Sequence, residues 1–167
     1  MKNNISPAIV AGFGAAVLST IPYIRNVSCC LIIPAAVFFT LYFHFKLVGF
    51  YAIRFDRAIL FGILTGIFAA LFFTIFDTVV TYITKFNDFV LVAGEVEQRM
   101  REMFKGPEVE QSVALIRRVA TEINTKGFSP MYTFMMFLGG LFAYSIMGAL
   151  GGVLAAVYFQ KRISEDQ

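Results

Sequence analysis

The side chains best suited to chemistry lie in and just beyond the third long apolar stretch of the chain. Asp77 is the one acidic residue within the predicted membrane spans, and a carboxylate is costly enough in a bilayer to count as a functional candidate. Helical periodicity places four further polar residues on its face: Thr74, Thr78, Thr81 and Lys85. This polar stripe predicts either a hydrated path for ions or an interfacial carboxylate that is hydrated or paired with Lys85.

The other reactive residue types form no recognisable site. His44 is the only histidine, and Cys29 and Cys30 are the only cysteines. A lone histidine without carboxylate or thiol partners makes no metal site, and adjacent cysteines close a disulfide only with strain. The sequence also lacks a nucleophile elbow, a zinc-protease helix and a phosphate-binding loop. We expect no catalytic residue, metal or cofactor, because an intramembrane enzyme would need a second group to work with Asp77.

The composition indicates a membrane protein. Of the 167 residues, 58% are hydrophobic and 15% are charged, and the mean hydropathy is +0.73. Soluble domains usually carry about 25% charged residues. The net charge of +3 is spread over several loops, whereas nucleic-acid binding requires a concentrated basic face. We therefore expect the lipid bilayer as a partner, and no nucleic acid.

Four apolar stretches are candidates for membrane spans, at about residues 7–24, 28–45, 57–80 and 131–159. The last contains no formally charged side chain, and a helix needs about 20 apolar residues to cross a bilayer. Pro34 predicts a kink in the first turns of the second span. The sequence thus predicts an all-α membrane protein with four transmembrane helices in a single membrane domain, residues 1–167.

The segment between the third and fourth spans, about residues 85–127, is polar and patterned. Its first half repeats apolar residues at helical spacing: Phe89, Val92, Val96, Met100 and Met103. A second apolar stripe follows Gly106 and Pro107: Val109, Val113, Ile116, Ala120 and Ile123. The pattern predicts an amphipathic helical hairpin outside the membrane. We also expect the third-span helix to continue to about Asp88.

Basic residues near the span ends predict the orientation of the chain. With four spans, the two termini and the 44–57 loop share one side, which carries Lys2, Lys46, Arg54, Arg57, Lys161 and Arg162. The other side offers Arg25, Lys85 and Lys126 close to the membrane. Because Lys and Arg accumulate on the cytoplasmic side of a membrane, we expect both termini in the cytoplasm and the hairpin on the opposite side.

Small residues recur at intervals of four in the last two spans: Gly62 and Gly66 in one, and Gly148 and Gly152 in the other. Such ridges let helix backbones approach closely in lipid, where apolar burial provides no drive for association. We expect these glycines to be helix-packing positions. The contacts would form either within one chain or between the copies of a homo-oligomer.

The order of the segments resembles an uncharacterised family of small bacterial four-helix integral membrane proteins, classified as a domain of unknown function. One motif is IRFDRAILFGILTGIFAALFF, in which Phe55, Ala58 and Gly62 lead into the third span. The other is the Gly-rich last span, which ends in basic residues. The resemblance covers nearly the whole chain. It implies a location in the bacterial inner membrane and carries over no catalytic residue.

Two functions fit these features. The first is a non-enzymatic accessory or scaffold subunit whose extramembrane hairpin contacts a partner membrane protein, a second copy or the lipid surface. The alternative is a small transporter or channel, with the polar stripe around Asp77 facing a hydrated interior. That alternative requires an oligomer, because four short spans leave little room for a pathway within one chain.

Overall fold

A computed structural model describes residues 5–21, 28–48 and 54–165 of the chain, and its regular structure in these ranges is helical. The elements are α1 (Ser6–Ser19), a π-helical turn (Ser28–Ile32), α2 (Ile33–Val48), α3 (Phe55–Thr84), α4 (Asp88–Met103), α5 (Pro107–Lys126) and α6 (Pro130–Glu165). No strand occurs in the described ranges. The prediction of an all-α fold is confirmed.

Among the described residues, three segments are long and apolar enough to cross a membrane. They are Cys29–Lys46, Phe55–Thr84 and Pro130–Lys161, with 18, 30 and 32 residues. At about 1.5 Å per residue they rise about 27, 45 and 48 Å, against a hydrocarbon core of about 30 Å. α1 is apolar but has 14 residues, and residues 22–24 of the predicted first span lie outside the described ranges. The first span, and with it the count of four, therefore stays a prediction.

The third helix ends earlier than its periodicity suggests. Its last residue is Thr84, and Lys85 follows with a φ of 53°, in the left-handed region that non-glycine residues rarely adopt. Asn87 is extended and caps α4, since its side-chain oxygen accepts the backbone N–H of Phe89 at 2.8 Å. The expected continuation of the helix to about Asp88 is wrong, because this cap begins a new helix there.

The start of α2 carries the irregularity expected from Pro34. Residues Ser28–Ile32 form a π-helical turn, and the α-helix begins at Ile33. A proline lacks the N–H that would bond the carbonyl four residues earlier, and its ring crowds that carbonyl. The wider turn accommodates the missing bond. Cys29 and Cys30 lie in this turn, and both thiols are free.

The chain divides into two compact units. Unit 1 contains residues 1–76 and 137–167, and unit 2 contains residues 77–136. α1, α2 and most of α3 and α6 belong to unit 1, whereas α4 and α5 belong to unit 2. The two longest helices, α3 and α6, therefore contribute residues to both units.

In unit 1, α3 and α6 meet through their backbones. A methyl group placed on Gly62 would overlap the carbonyl oxygen of Gly148, and one placed on Gly148 would overlap that of Gly62. The same close approach recurs further along the two helices, with Gly66 against Tyr144 and Gly152 against Ala58. A side chain at any of these four glycines would force the helices apart. These contacts lie within one chain.

A buried apolar cluster joins α1, α2, α3 and α6 in unit 1. Its members are Ala8, Val37, Leu41, Ala58, Phe61, Ala155, Ala156 and Phe159. Half of them are alanines, so the helices pack at short distances and the larger side chains fill the remaining space.

Buried hydroxyl groups of unit 1 have partners on the helices themselves. The side-chain oxygens of Thr40 and Thr65 lie 3.0 Å apart and link α2 to α3. Thr40 also lies 3.0 Å from the Ala36 carbonyl and Thr65 lies 2.8 Å from the Phe61 carbonyl, so each hydroxyl can donate to its own helix and either can donate to the other. Ser19 and Thr74 donate to the carbonyls four residues before them. These hydroxyls are therefore compatible with apolar surroundings.

In unit 2, α4 and α5 pack against each other. The predicted α5 stripe faces inward, with Val113 and Ile123 buried and Val109, Ile116 and Ala120 half-buried. Val119, which lies outside that stripe, is buried as well. On α4, Ala93 is buried, while Phe89 and Met100 are only partly covered. α5 begins at Pro107, after Gly106, where the sequence predicts the break between the two helices.

Candidate functional site

Ion pairs fasten α4 to α5. Glu97 of α4 pairs with Arg117 of α5 and lies 3.7 Å from Arg101 on its own helix. Arg101 in turn pairs with Glu110 of α5. The hydrogen bond from Arg117 is the main reason that the pKa of Glu97 lies below its usual value, despite a side chain that is only 15% exposed. The same contact raises the pKa of Arg117, so both groups are charged at neutral pH.

A second group of polar contacts lies at the C-terminal end of α5. Glu122 accepts hydrogen bonds from the Ser129 hydroxyl at 2.8 Å and from Arg118 at 3.1 Å. These bonds, chiefly that from Ser129, lower the pKa of Glu122. Gly127 follows α5 with a φ of 72°, and a methyl group placed on it would come within 2.9 Å of the Tyr82 carbonyl oxygen. Both the left-handed backbone and the close approach favour glycine at this corner.

The predicted polar stripe is distributed over both units. Thr74 belongs to unit 1, where it bonds its own helix. In unit 2, Thr81 is 5% exposed and accepts a hydrogen bond from the Asn87 amide at 2.9 Å. Asp77 and Thr78 are half-buried, and Lys85 is exposed.

The space beside the unit 2 part of the stripe is small. A cavity lined by Thr78, Thr81, Ser129 and Thr133, among others, has a volume of about 10 Å³. That is at the lower limit for one water molecule. This cavity therefore offers room for about one bound water molecule.

One face of α4 is apolar and exposed. Val92, Val96 and Met103 share this face by their spacing of four and seven residues, and Phe104 follows at the end of the helix. Met103 is 72% exposed and Phe104 is 58% exposed. We call these four residues the α4 apolar stripe. The sequence grouped Val92, Val96 and Met103 with Phe89 and Met100 as a single face, but the structure divides that face between packing and exposure.

The α4 apolar stripe ends beside a hollow at the corner between α4 and α5. This hollow has a volume of about 610 Å³ and is lined by Met100, Met103, Phe104 and Val109 together with the charged residues Lys105 and Glu108. Its size lies within the range of about 300–1,000 Å³ that is usual for binding pockets. The corner and the stripe together form a continuous candidate surface for binding.

In the described ranges, no group of three or more His, Cys, Asp or Glu side chains is arranged to hold a metal ion. His44 is buried in unit 1 and packs against Phe61, with ring centroids 4.3 Å apart. The chain matches no family model, no curated protein and no solved structure. The α4 apolar stripe, an exposed apolar face on a helix that is ion-paired to α5, is the candidate site.

Proposed function

We propose that this chain is a four-span integral membrane protein of the bacterial inner membrane that serves as a non-enzymatic accessory or scaffold subunit. Both termini lie in the cytoplasm, and α4 and α5 capture a partner on the opposite side. Three helical segments of spanning length support membrane insertion, and α1 is the remaining span in this proposal. The resemblance in segment order to small bacterial four-helix proteins supports the location.

The observation that carries the proposal is the contrast between the two faces of α4. On one face Ala93 is buried, and the ion pairs of Glu97 with Arg117 and of Arg101 with Glu110 join α4 to α5. The α4 apolar stripe, in contrast, is exposed. Contiguous exposed apolar surface marks interaction sites. A helix that is already held in place loses little conformational entropy when a partner covers it.

The partner has an apolar groove or helix face that complements this stripe. The spacing of Val92, Val96 and Met103 is that of helices that dock through one face into such a groove. Arg99, which follows Val96 by three residues and precedes Met103 by four, lies on the same face and is exposed. Glu95 is exposed beside Val96. The docking face is therefore apolar with charged residues among and beside its apolar side chains. A partner membrane protein or a second copy of this chain meets that description.

Photo-crosslinking from the stripe tests the proposal. A photoreactive residue at Val96 should form adducts with one discrete partner in intact cells. The same residue at Leu115, an exposed apolar position on α5, serves as the control and should form none. The combined substitutions Val92→Ser, Val96→Ser and Met103→Ser should abolish partner capture in a pulldown, because they remove the apolar contact area while leaving the ion pairs of Glu97 intact.

Deletion of residues 89–126 provides a coarser test. The shortened chain should still insert into membranes but capture no partner, and capture equal to that of the full chain would refute the proposal. Reporter fusions at Glu110 and Gln167 test the topology separately. Reporters in opposite compartments support the four-span arrangement, whereas reporters in one compartment contradict it.

The transporter alternative requires an oligomer, because the cavity beside Thr78 and Thr81 within one chain measures about 10 Å³. Asp77→Asn tests that alternative, because neutralising a carboxylate on an ion path abolishes function while leaving insertion intact. Cysteines placed at Thr74 and Thr81 should also react faster with a water-soluble reagent than one at Val79, an exposed apolar position of α3. Equal labelling rates and an active Asp77→Asn chain would exclude the path.

A further inference from the structure

An open apolar groove runs between α1 and α2 in unit 1. Its volume is about 670 Å³. Small residues form its floor, among them Ala11, Gly14 and Ala35, and larger ones form its rims, among them Val10, Leu31 and Phe39. Of the residues that line it, Ser6 alone carries a polar side-chain atom. The groove therefore suits a ligand that is apolar over most of its length.

One end of the groove is polar and positively charged. α1 and α2 run in opposite directions, since Ala8 near the start of α1 shares a buried cluster with Leu41 near the end of α2. Ser6 and Phe43 therefore lie at the same end. Lys46 follows Phe43 by three residues, so the two side chains are neighbours on the α2 surface, and both are exposed.

The length of the groove suits an extended alkyl chain. From Ser6 to Leu18 the groove extends about 18 Å along α1, slightly more than half of a hydrocarbon core of about 30 Å. That length is close to one leaflet of the bilayer, and apart from Ser6 the lining is apolar from end to end.

We propose that this groove binds one acyl chain of an anionic phospholipid, whose phosphate lies at Lys46. The groove length corresponds to one leaflet, and the ammonium group at its end complements the charge of the headgroup. The Ser6 hydroxyl donates a hydrogen bond to the ester or phosphate oxygens at the same end. This inference rests on the membrane insertion of α1, which is part of the proposed function, and not on partner capture by α4.

Native mass spectrometry tests the proposal on the full chain. The protein is released from nanodiscs that contain equal amounts of phosphatidylglycerol and phosphatidylcholine, and the retained lipids are counted. We expect one phosphatidylglycerol per chain. Gly14→Leu should reduce retention about tenfold, because its side chain would fill the floor of the groove. Gly139→Leu is the matched control, since neither Gly14 nor Gly139 has an atom within 4 Å of an added Cβ.

A charge substitution tests the headgroup separately from the acyl chain. Lys46→Glu should lower the ratio of retained phosphatidylglycerol to phosphatidylcholine at least fivefold, because loss of one lysine near an anionic lipid surface alone corresponds to about fivefold and the new carboxylate repels the headgroup. Lys105→Glu, at an exposed lysine of unit 2, should leave that ratio unchanged.

Leu31→Trp is a second variant for the case that the Gly14→Leu chain fails to fold. Because Leu31 lies on the exposed rim, the larger side chain narrows the groove from outside. Undiminished lipid retention by both variants would overturn the proposal, as would an equal loss caused by Gly139→Leu. A change of oligomeric state with unchanged lipid retention would also overturn it and would assign the groove to contact between copies. Loss of lipid with intact partner capture through α4 would support the groove and leave the proposed function standing.

Discussion

In unit 1 the helices meet through glycine backbones, whereas in unit 2 they meet through apolar side chains and ion pairs. The contact of Gly62 with Gly148 places two backbones side by side, and the hydroxyls of Thr65 and Thr74 bond carbonyls of their own helix. At the contact between α4 and α5, Glu97 and Arg117 form an ion pair.

The difference is the one expected between helices that pack in lipid and helices that pack in water. Lipid offers no hydrogen bonds and no hydrophobic drive, so helices in it associate by close packing and satisfy their polar groups internally. Water drives apolar side chains together and hydrates charged rims. The two contact types thus support the proposed division of the chain into membrane and aqueous parts.

The largest effect is expected at the glycine contact of unit 1. Gly62→Leu should prevent the folded state from forming, because the added side chain overlaps the backbone of α6 at Gly148 and overpacking alone costs about 1–3 kcal/mol even where neighbours can yield. Gly139→Leu, which adds the same side chain in open space, should unfold close to the wild-type temperature. Thermal unfolding in detergent, followed by size exclusion, measures both. Equal stability of the two variants would contradict the backbone-contact description.

A smaller effect is expected at the cap of α4 in unit 2. Asn87→Ala removes the hydrogen bond to the Phe89 N–H and leaves the buried Thr81 hydroxyl without its donor. We expect a loss of about 1–2 kcal/mol, typical for an N-cap residue. Hydrogen exchange should accelerate in the first turns of α4 while the amides of unit 1 keep their protection. Asn124→Ala, at an exposed position of α5, should leave both units unchanged.

The hydroxyl contact between α2 and α3 should contribute less. Thr40→Val removes one partner of the 3.0 Å contact with Thr65, and such hydrogen bonds between membrane helices average about 0.6 kcal/mol with a maximum of about 1.7. A double-mutant cycle with Thr65→Val isolates this interaction. A coupling free energy of zero would show that each hydroxyl bonds only its own helix.

The smallest effect is an acid-dependent loosening of α4 and α5. The pKa values of Glu97 and Glu122 are lowered in the folded chain, so their contribution to stability is present above the usual glutamate pKa of about 4.3. It is lost as the pH falls through the lower, folded-state values. Hydrogen exchange of α5 should increase in that range. Glu97→Gln, which has no charge to lose there, should show a smaller change between neutral and acidic pH.

The sequence predicts the elements of this fold well. Helix formation follows from apolar periodicity, and the break between α4 and α5 follows from Gly106 and Pro107. Pro107 suits the first position of α5, because its φ is fixed near the helical value and no N–H is needed there. The end of α3 was harder to locate. The apolar and polar pattern continues through Thr84 and Lys85, and only the side-chain bonds of Asn87 show that a new helix starts.

The candidate surfaces depend on contacts between distant residues, which periodicity does not encode. Periodicity groups Val92, Val96 and Met100 on one face of α4, but the position at which α5 packs against α4 decides how much of that face is covered. Val119 is buried although it lies beside the predicted α5 stripe. The groove between α1 and α2 depends likewise on how closely two helices approach, which Gly14 and its alanine neighbours permit but do not specify.

The contact between Gly62 and Gly148 has a consequence for biogenesis, because about 86 residues separate the two positions. At a translation rate of about 5–20 residues per second, α3 leaves the ribosome roughly 4–17 seconds before its partner surface on α6 is made. The contact between Thr40 and Thr65 involves no residue that is synthesised after α3. α1, α2 and α3 can therefore assemble during that interval, while the glycine face of α3 stays uncovered. A nascent chain that stalls before Pro130 would expose the glycine face of α3 without its partner helix. Membrane quality-control proteases would then recognise the incomplete chain and degrade it.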